Sequence, residues 1–170
     1  MAHIVVMVTT SYPRFPGDNV GSFMEPIARG VAARGHQVHV VAPWHPLVDR
    51  PATDGDVHFH FYRYAPASFP HVFGYAGALK ADVQLRVSAL AATPLAVAAG
   101  IRTARRVARE AGATIVHGHW VVPGGFMGRM ATGASLPLVV SLHGSDVYVA
   151  ERHSLVGRAA ATRRVLEEVE

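Results

Sequence analysis

A short β-branched run that ends abruptly in polar residues constrains the fold of this chain more than any other feature. Residues 138–141 read Leu-Val-Val-Ser, and after one leucine come His143, Gly144, Ser145 and Asp146. A run of this length and composition predicts a buried strand. In open α/β sheets, ligands bind beyond the carboxyl ends of the strands. We therefore expect an imidazole, a glycine, a hydroxyl and a carboxylate to be presented together at such an edge.

The N-terminal segment has the pattern of a β-α-β unit. The predicted elements are a strand over His3–Val8, a turn-rich loop over Thr9–Asn19, a helix over Gly21–Arg34 that ends at Gly35, and a strand over Gln37–Ala42 that ends at Pro43. Phe23, Ile27, Val31 and roughly Arg34 mark successive turns of this helix. Two strands joined by a crossover helix are the unit of a doubly wound sheet. The expected fold class is α/β, with a Rossmann-like, mostly parallel sheet and helices on both faces.

The rest of the chain continues this alternation. The predicted elements are strands over Val57–Tyr64, Thr114–Gly118 and Leu138–Ser141, and helices over Ala76–Leu90, Pro94–Gly112, about Gly124–Thr132 and Ser154–Glu170. A loop over Ala65–Tyr75 contains Phe69, His71, Phe73 and Tyr75, and its aromatic segment from Phe69 to Tyr75 either touches a ligand or packs over the cleft. Residues 1–170 suit one domain. Because the last helix has no capping signal, we expect a longer protein of which this is the front part.

Composition excludes several classes of protein. The chain has no cysteine, so disulfides and thiolate metal sites are excluded. No apolar run reaches the roughly 18 to 20 residues of a membrane span. The N-terminus has no basic segment and no cleavage site of the kind that signal peptides carry. We expect a cytoplasmic protein, with contact at the inner face of the membrane as an option.

The loop after the first strand is the first candidate site. Gly17, Gly21 and Ser22 lie where backbone N–H groups and a helix N-terminus can hold an anion. The dinucleotide fingerprint and the Walker pattern are both absent, which disfavours a nicotinamide or flavin cofactor and a P-loop. The alternative is an ordinary connecting loop with a helix cap.

The stretch His117-Gly118-His119-Trp120 is the second candidate. We expect the two histidines to point to opposite faces of the strand, which makes a metal chelate unfavourable. One imidazole would face a cleft and the other would be hydrogen-bonded inside the protein. The glycines at 124 and 125 either let the backbone approach a ligand or only turn the chain.

The third candidate is the segment from His143 to Asp146. The imidazole of His143 could exchange a proton or bind a sugar hydroxyl, and Asp146 could orient it or bind hydroxyls. In the alternative, His143 is a buried polar group bonded to the backbone, and Asp146 caps a helix. The Gly-x-Ser-x-Gly pattern of serine hydrolases is missing.

Four arginines form the fourth candidate, and they share one face of a predicted helix: Arg102, Arg105, Arg106 and Arg109. Such a face could attract anionic lipid head groups or a phosphorylated substrate. A solvated helix face is the alternative. Nucleic acid is not an expected partner, because the basic residues are not interleaved with stacking aromatics.

The ordered set of these motifs resembles the N-terminal half of a retaining, nucleotide-sugar-dependent glycosyltransferase of the GT-B fold, family 4. The matching pieces are residues 11–23, residues 35–43, His117–Trp120 and Ser141–Asp146. The resemblance implies two Rossmann-like domains that face each other across a cleft, of which this chain supplies the acceptor-binding one. The nucleotide-binding domain would lie outside this chain, and this domain alone would be inactive. A departure is Val20-Gly21, where many members have two glycines.

The resemblance also implies roles for residues. His143 would be the catalytic residue that faces the donor sugar. Residues that would bind substrate or donor are Gly17, Asn19, Gly21, Ser22, His119, Trp120, Gly144 and Asp146. The partners would be a nucleotide-sugar donor and a glycan or lipid-linked acceptor, with no metal or other cofactor. Two alternatives stay open, namely a non-catalytic domain that binds anionic membranes through Arg102–Arg109 and a GT-B nucleotide-sugar epimerase.

Overall fold

A single six-stranded sheet dominates the computed structural model, which describes residues 1–66, 73–75, 79–80, 84–85 and 87–144. Its strands are β1 (Ile4–Val8), β2 (Gln37–Pro43), β3 (Thr53–Asp54), β4 (Val57–Tyr62), β7 (Ile115–His119) and β8 (Leu138–Ser141). Their spatial order is β3-β4-β2-β1-β7-β8. Only the pairing of β3 with β4 is antiparallel, so the mostly parallel sheet is confirmed.

Two apolar cores cover the sheet, one on each face. Side chains alternate along a strand, so Met7 of β1 packs with Met24 of helix α1 (Met24–Ala32), whereas Val6 packs on the opposite face. That opposite core contains residues of helix α2 (Val87–Ala111) and of helix α3 (Phe126–Thr132). Helices on both faces make the sheet doubly wound, as expected.

The chain adds its first strands on one side of β1 and its later strands on the other side. From β1 the chain moves by way of α1 to β2 on one side, and after β4 it crosses by way of α2 to β7 on the other side. Loops that leave β1 and β7 therefore diverge, and a crevice opens between the carboxyl ends of these two strands. Any ligand site of this fold is expected at that position.

Most element boundaries lie close to the expected ones, but α1 is shorter than the predicted helix. It begins at Met24 rather than Gly21, and the N–H of Met24 donates to the carbonyl of Gly21 at 2.9 Å. Pro26 is tolerated because it lies in the first helical turn, where its missing N–H costs nothing. Gly112, with φ of +66°, follows the last residue of α2 as predicted.

The segment before α2 differs from expectation. In place of a helix over residues 76–90, β5 (Leu79–Lys80) pairs antiparallel with β6 (Gln84–Leu85), and α2 begins at Val87. Helix propensity is a weak preference that a local ladder overrides. Pro94 lies inside α2 rather than at its start, because buried neighbours such as Ala92 and Ala96 hold the helix on the core despite one lost hydrogen bond.

Three expectations lie outside the described residues, namely the final helix over Ser154–Glu170, the placement of Asp146, and the contacts of the aromatic residues Phe69 and His71. No helix within the described part of the chain is long and apolar enough to cross a membrane.

Candidate functional site

An ion pair inside the first loop fixes its shape. Two guanidinium nitrogens of Arg14 donate to the carboxylate of Asp18, at 2.6 and 2.9 Å. The same carboxylate accepts the backbone N–H groups of Arg14 and Val20. Asp18 is buried, and these hydrogen bonds hold its pKa well below the usual range. The loop therefore reaches α1 in one defined conformation. No motif in the amino-acid sequence indicated that these two residues form a pair.

The glycines of this loop have different roles. Gly21 has φ of +68°, and a Cβ there would lie 2.9 Å from the hydroxyl of Ser11, so the position requires glycine. Gly17 also has positive φ, but a Cβ there would meet no atom within 4 Å, so only its backbone conformation favours glycine. Asn19 and Ser22 are exposed on the same loop. The loop thus presents an exposed polar segment that ends at Gly21 and α1.

His117 and His119 lie on the same face of β7, so the expectation of opposite faces was wrong. Residues two apart along a strand share a face, and the two ring centroids are only 4.2 Å apart. His117 forms a hydrogen bond with the hydroxyl of Ser141 at 2.7 Å. His119 has no exposed surface and forms a hydrogen bond through Nδ1 with Nε2 of His143 at 2.9 Å. Both imidazoles are therefore internal hydrogen-bonding groups.

Trp120 turns the chain sharply at the end of β7. Its φ is +62°, a conformation that costs a residue with a side chain on the order of 1–3 kcal/mol. A wide turn over Trp120–Gly125 follows and leads into α3. Gly124 packs directly on the strand ends, since a Cβ there would lie 2.0 Å from the carbonyl oxygen of His119 and 2.8 Å from that of Val8. This close packing of backbone holds Trp120 in its strained position.

Three aromatic rings from three segments meet at the carboxyl edge of the sheet. The ring of His143, after β8, lies 4.8 Å from the indole of Trp120 and 4.9 Å from the ring of Phe23. The rings of Phe23 and Trp120 are 5.8 Å apart in an edge-on arrangement. We call Phe23, His119, Trp120 and His143 the edge cluster. Gly144 extends it by one residue, with φ of +50°.

Phe23 is the member of this cluster that the sequence pattern did not single out as a site residue. Its spacing placed it within the predicted helix, but it is 41% exposed and precedes the first residue of α1. Its position two residues after Gly21 was the available signal, because the start of the helix that follows β1 lies at the carboxyl edge of the sheet, where ligands bind.

Burial keeps the internal imidazoles neutral. The pKa of His119 is lowered to about 3, chiefly by desolvation and then by the neighbouring His117 and His143. The pKa of His117 is lowered for the same main reason. At neutral pH both rings carry a single proton, so His117 and His119 provide hydrogen bonds rather than positive charge.

The described part of the aromatic loop packs against the end of β2 and the segment that follows β4. The hydroxyl of Tyr75 donates to the carbonyl of Pro43 at 2.6 Å, and the N–H of Phe73 donates to the hydroxyl of Tyr64 at 3.0 Å. Both aromatic side chains of this segment are buried. Of the two interpretations of this loop, packing holds for Phe73 and Tyr75.

A shallow, mostly apolar cavity of about 190 Å³ lies on the α1 face of the sheet, away from its carboxyl edge. It is lined by His3, Val5, Val31, His36, Ile115, His117 and Val139, so it touches the histidines of β7 only at His117. In the part of the chain that the structure describes, no three histidine, aspartate or glutamate side chains are grouped to hold a metal ion.

The arginine face of α2 is exposed at all four positions. Two of its members nevertheless have partners within the protein. Arg105 donates to the carbonyls of Met130 and Ala131 at the end of α3, and Arg106 pairs with Glu110 at 3.2 Å. Arg105 is therefore a structural cap for α3, which the sequence pattern did not indicate.

Comparison with known proteins agrees with this architecture. A search of curated proteins found no match for the chain. The family model described as Glycosyltransferase Family 4 matches residues 20–169, a range that contains Gly21, Phe23, the histidines of β7 and His143. With its Rossmann-like sheet and its polar and aromatic groups gathered at the carboxyl edge, the chain belongs to Glycosyltransferase Family 4.

Proposed function

We propose that this chain is the acceptor-side domain of a retaining glycosyltransferase that transfers a sugar from a nucleotide-sugar donor to a glycan or lipid-linked acceptor. The observation that carries the proposal is the edge cluster, which lies at the switch point of a family 4 domain. Sugars bind to aromatic faces through their C–H groups and to imidazoles through their hydroxyls, and both kinds of group are present there.

In this proposal His143 is the catalytic residue that contacts the donor sugar. Glycosyl transfer develops positive charge on the sugar ring and negative charge on the departing diphosphate. Preorganised hydrogen bonds near such charges lower the barrier, and removing one typically costs 10²–10³-fold. The ring of His143 is held by His119, Trp120 and Phe23, so its orientation is set before substrate arrives.

Gly21 and the exposed loop residues Gly17, Asn19 and Ser22 are proposed to line the donor or acceptor side of the crevice, together with Trp120 and Gly144. His119 has no exposed surface, so it is proposed to act through His143 rather than by contact with a ligand. Asp146, which lies outside the described residues, is proposed to bind a hydroxyl of the substrate. The arginines nearest this loop, Arg14 and Arg50, are already engaged with the carboxylates of Asp18 and Glu25. Neutralisation of the diphosphate is therefore assigned to a second, nucleotide-sugar-binding domain rather than to this loop.

The experiment is a donor panel. The full-length protein is incubated with UDP-, GDP- and ADP-hexoses, with and without candidate acceptors, and release of the nucleoside diphosphate is measured. The His143→Ala variant is expected to lose about 10²–10³-fold in kcat/KM. His3→Ala is the matched control, because His3 is an exposed histidine at the opposite end of the sheet.

Two outcomes would contradict the proposal. Unchanged turnover in His143→Ala would remove that residue from the mechanism. Release of nucleoside diphosphate with an epimerised free sugar, and no dependence on acceptor, would instead identify a nucleotide-sugar epimerase.

Contact with an anionic membrane is a second proposal, supported by the exposure of the arginine face next to the exposed side chains of Leu95 and Met130. Flotation with phosphatidylserine vesicles tests it. The variant in which Arg102, Arg105, Arg106 and Arg109 become glutamine is expected to lose binding, and binding that persists would exclude this face as the contact.

A further inference from the structure

We propose that His119 is a positioning residue for His143: it donates its Nδ1 proton to Nε2 of His143 and so fixes the tautomer in which His143 carries its own proton on Nδ1. The use of that Nδ1–H toward a sugar hydroxyl rests on the proposed function. The tautomer itself does not depend on it.

The hydrogen bond between the two rings is the first observation. Nδ1 of His119 and Nε2 of His143 are 2.9 Å apart, and the rings are nearly parallel. One of these nitrogens must donate and the other must accept, because a neutral imidazole has one of each. Which one donates is decided by the other nitrogen of His119.

The second observation concerns that other nitrogen. Nε2 of His119 is buried and has no hydrogen-bond partner among the described residues. A buried N–H without an acceptor is rare in proteins, whereas an acceptor without a donor is tolerated more often. The proton of His119 therefore lies on Nδ1, where it has a partner, rather than on Nε2, where it would have none.

A doubly protonated His119 is disfavoured by its surroundings. The side chain has no exposed surface, and burial next to His117 lowers its pKa. With a single proton on Nδ1 of His119, Nε2 of His143 must accept. Neutral His143 then has its proton on Nδ1, which makes it a fixed hydrogen-bond donor.

The backbone keeps His119 from moving out of this position. His119 is the last residue of β7 and is paired in register with Ser141 of β8. Its carbonyl packs against Gly124 so closely that a Cβ there would clash. A side chain with no exposed surface on a backbone held from both sides is suited to orient a neighbour rather than to react itself.

The decisive test is a nuclear magnetic resonance measurement on the wild-type protein labelled with ¹⁵N-histidine. The resonances of His143 are assigned by their loss in His143→Gln. At neutral pH we expect Nε2 of His143 without a proton and Nδ1 with one. A proton on Nε2 would overturn the proposal, whatever the activity of the protein.

Two variants separate positioning from mere structural support. In His119→Asn the amide nitrogen occupies the place of Nδ1 and can still donate, whereas His119→Leu has the same branching and no donor. We expect the asparagine variant to keep the tautomer of His143 and most of the transfer rate. The leucine variant should mix the tautomers and lose about tenfold in kcat, with less effect on KM.

If both variants fold and lose kcat to the same extent, the positioning role is contradicted. If the leucine variant does not fold, the wild-type spectrum still decides the question. If no nucleotide sugar is turned over but the expected tautomer is observed, the proposed function fails while the assignment of His119 stands.

Discussion

Acidification should destabilise this protein steeply, because histidines are buried in their neutral form. Burial lowers the pKa of His119 from 6.5 to about 3 and that of His60 to about 4. Once the pH falls below 6.5, these histidines bind protons in the unfolded chain but not in the folded chain. Stability is therefore complete above pH 6.5 and decreases until the pH reaches the folded-state pKa values.

The size of the effect follows from these values. Below pH 6.5, each such histidine lowers the free energy of unfolding by about 1.36 kcal/mol per pH unit. His119 therefore lowers it by about 2.7 kcal/mol between pH 6.5 and 4.5. His60 is only half-buried, and after a discount for solvent screening we take its contribution as about half of that. Together the two histidines lower the free energy of unfolding by about 4 kcal/mol. This is a large fraction of the 5–15 kcal/mol that is usual for a domain, on the order of its whole stability at the low end.

Urea denaturation at pH 7.0, 6.0, 5.0 and 4.5 measures this loss. The series stops at pH 4.5 because carboxylates such as Asp18, whose pKa is also lowered, lose their stabilising charge at lower pH. In His119→Asn the free energy of unfolding should depend on pH much less steeply. In His3→Asn, which replaces an exposed side chain, the steep dependence should remain. A wild-type free energy of unfolding that changes by less than about 1 kcal/mol over this range would refute the reasoning.

Two further predictions concern the packing beneath the edge cluster. Gly124→Ala places a Cβ against the carbonyl of His119 and should cost at least about 2 kcal/mol in urea denaturation. Gly30→Ala, inside α1, places a Cβ against only the far end of the Arg34 side chain and should be neutral or stabilising by up to about 1 kcal/mol. Met127→Ala, at a side chain with no exposed surface, should lower the free energy of unfolding by about 2–5 kcal/mol, whereas Met130→Ala, which is half-exposed, should change it by less than about 0.5 kcal/mol. Equal effects within either pair would contradict the packing described.

The five longer strands and the doubly wound arrangement could be predicted because their signals are local and redundant. The apolar runs that contain Val6 and Val140 are both short and β-branched, and helical crossovers between successive parallel strands leave few possible topologies. The segment before Pro94 had no comparable signal. Its alanines and leucine favour a helix only weakly, and the ladder between β5 and β6 prevails.

The candidate site was predictable in position but not in its contacts. Parallel strands bring their carboxyl ends to one edge, which placed His119, Trp120 and His143 together. The contact of Phe23 with this group depends on where α1 begins, and helix boundaries are the least certain part of a sequence pattern. The pairing of Arg14 with Asp18 depends on the turn at Gly17, which no periodicity encodes.

The most direct test of the central claim is a crystal structure of the full-length protein with a nucleotide sugar that it turns over. The account predicts that the hexose ring lies against the indole of Trp120, with a hydroxyl hydrogen-bonded to His143, and that the diphosphate lies toward Gly21. A hexose bound elsewhere, with the edge cluster out of contact with the ligand, would contradict it.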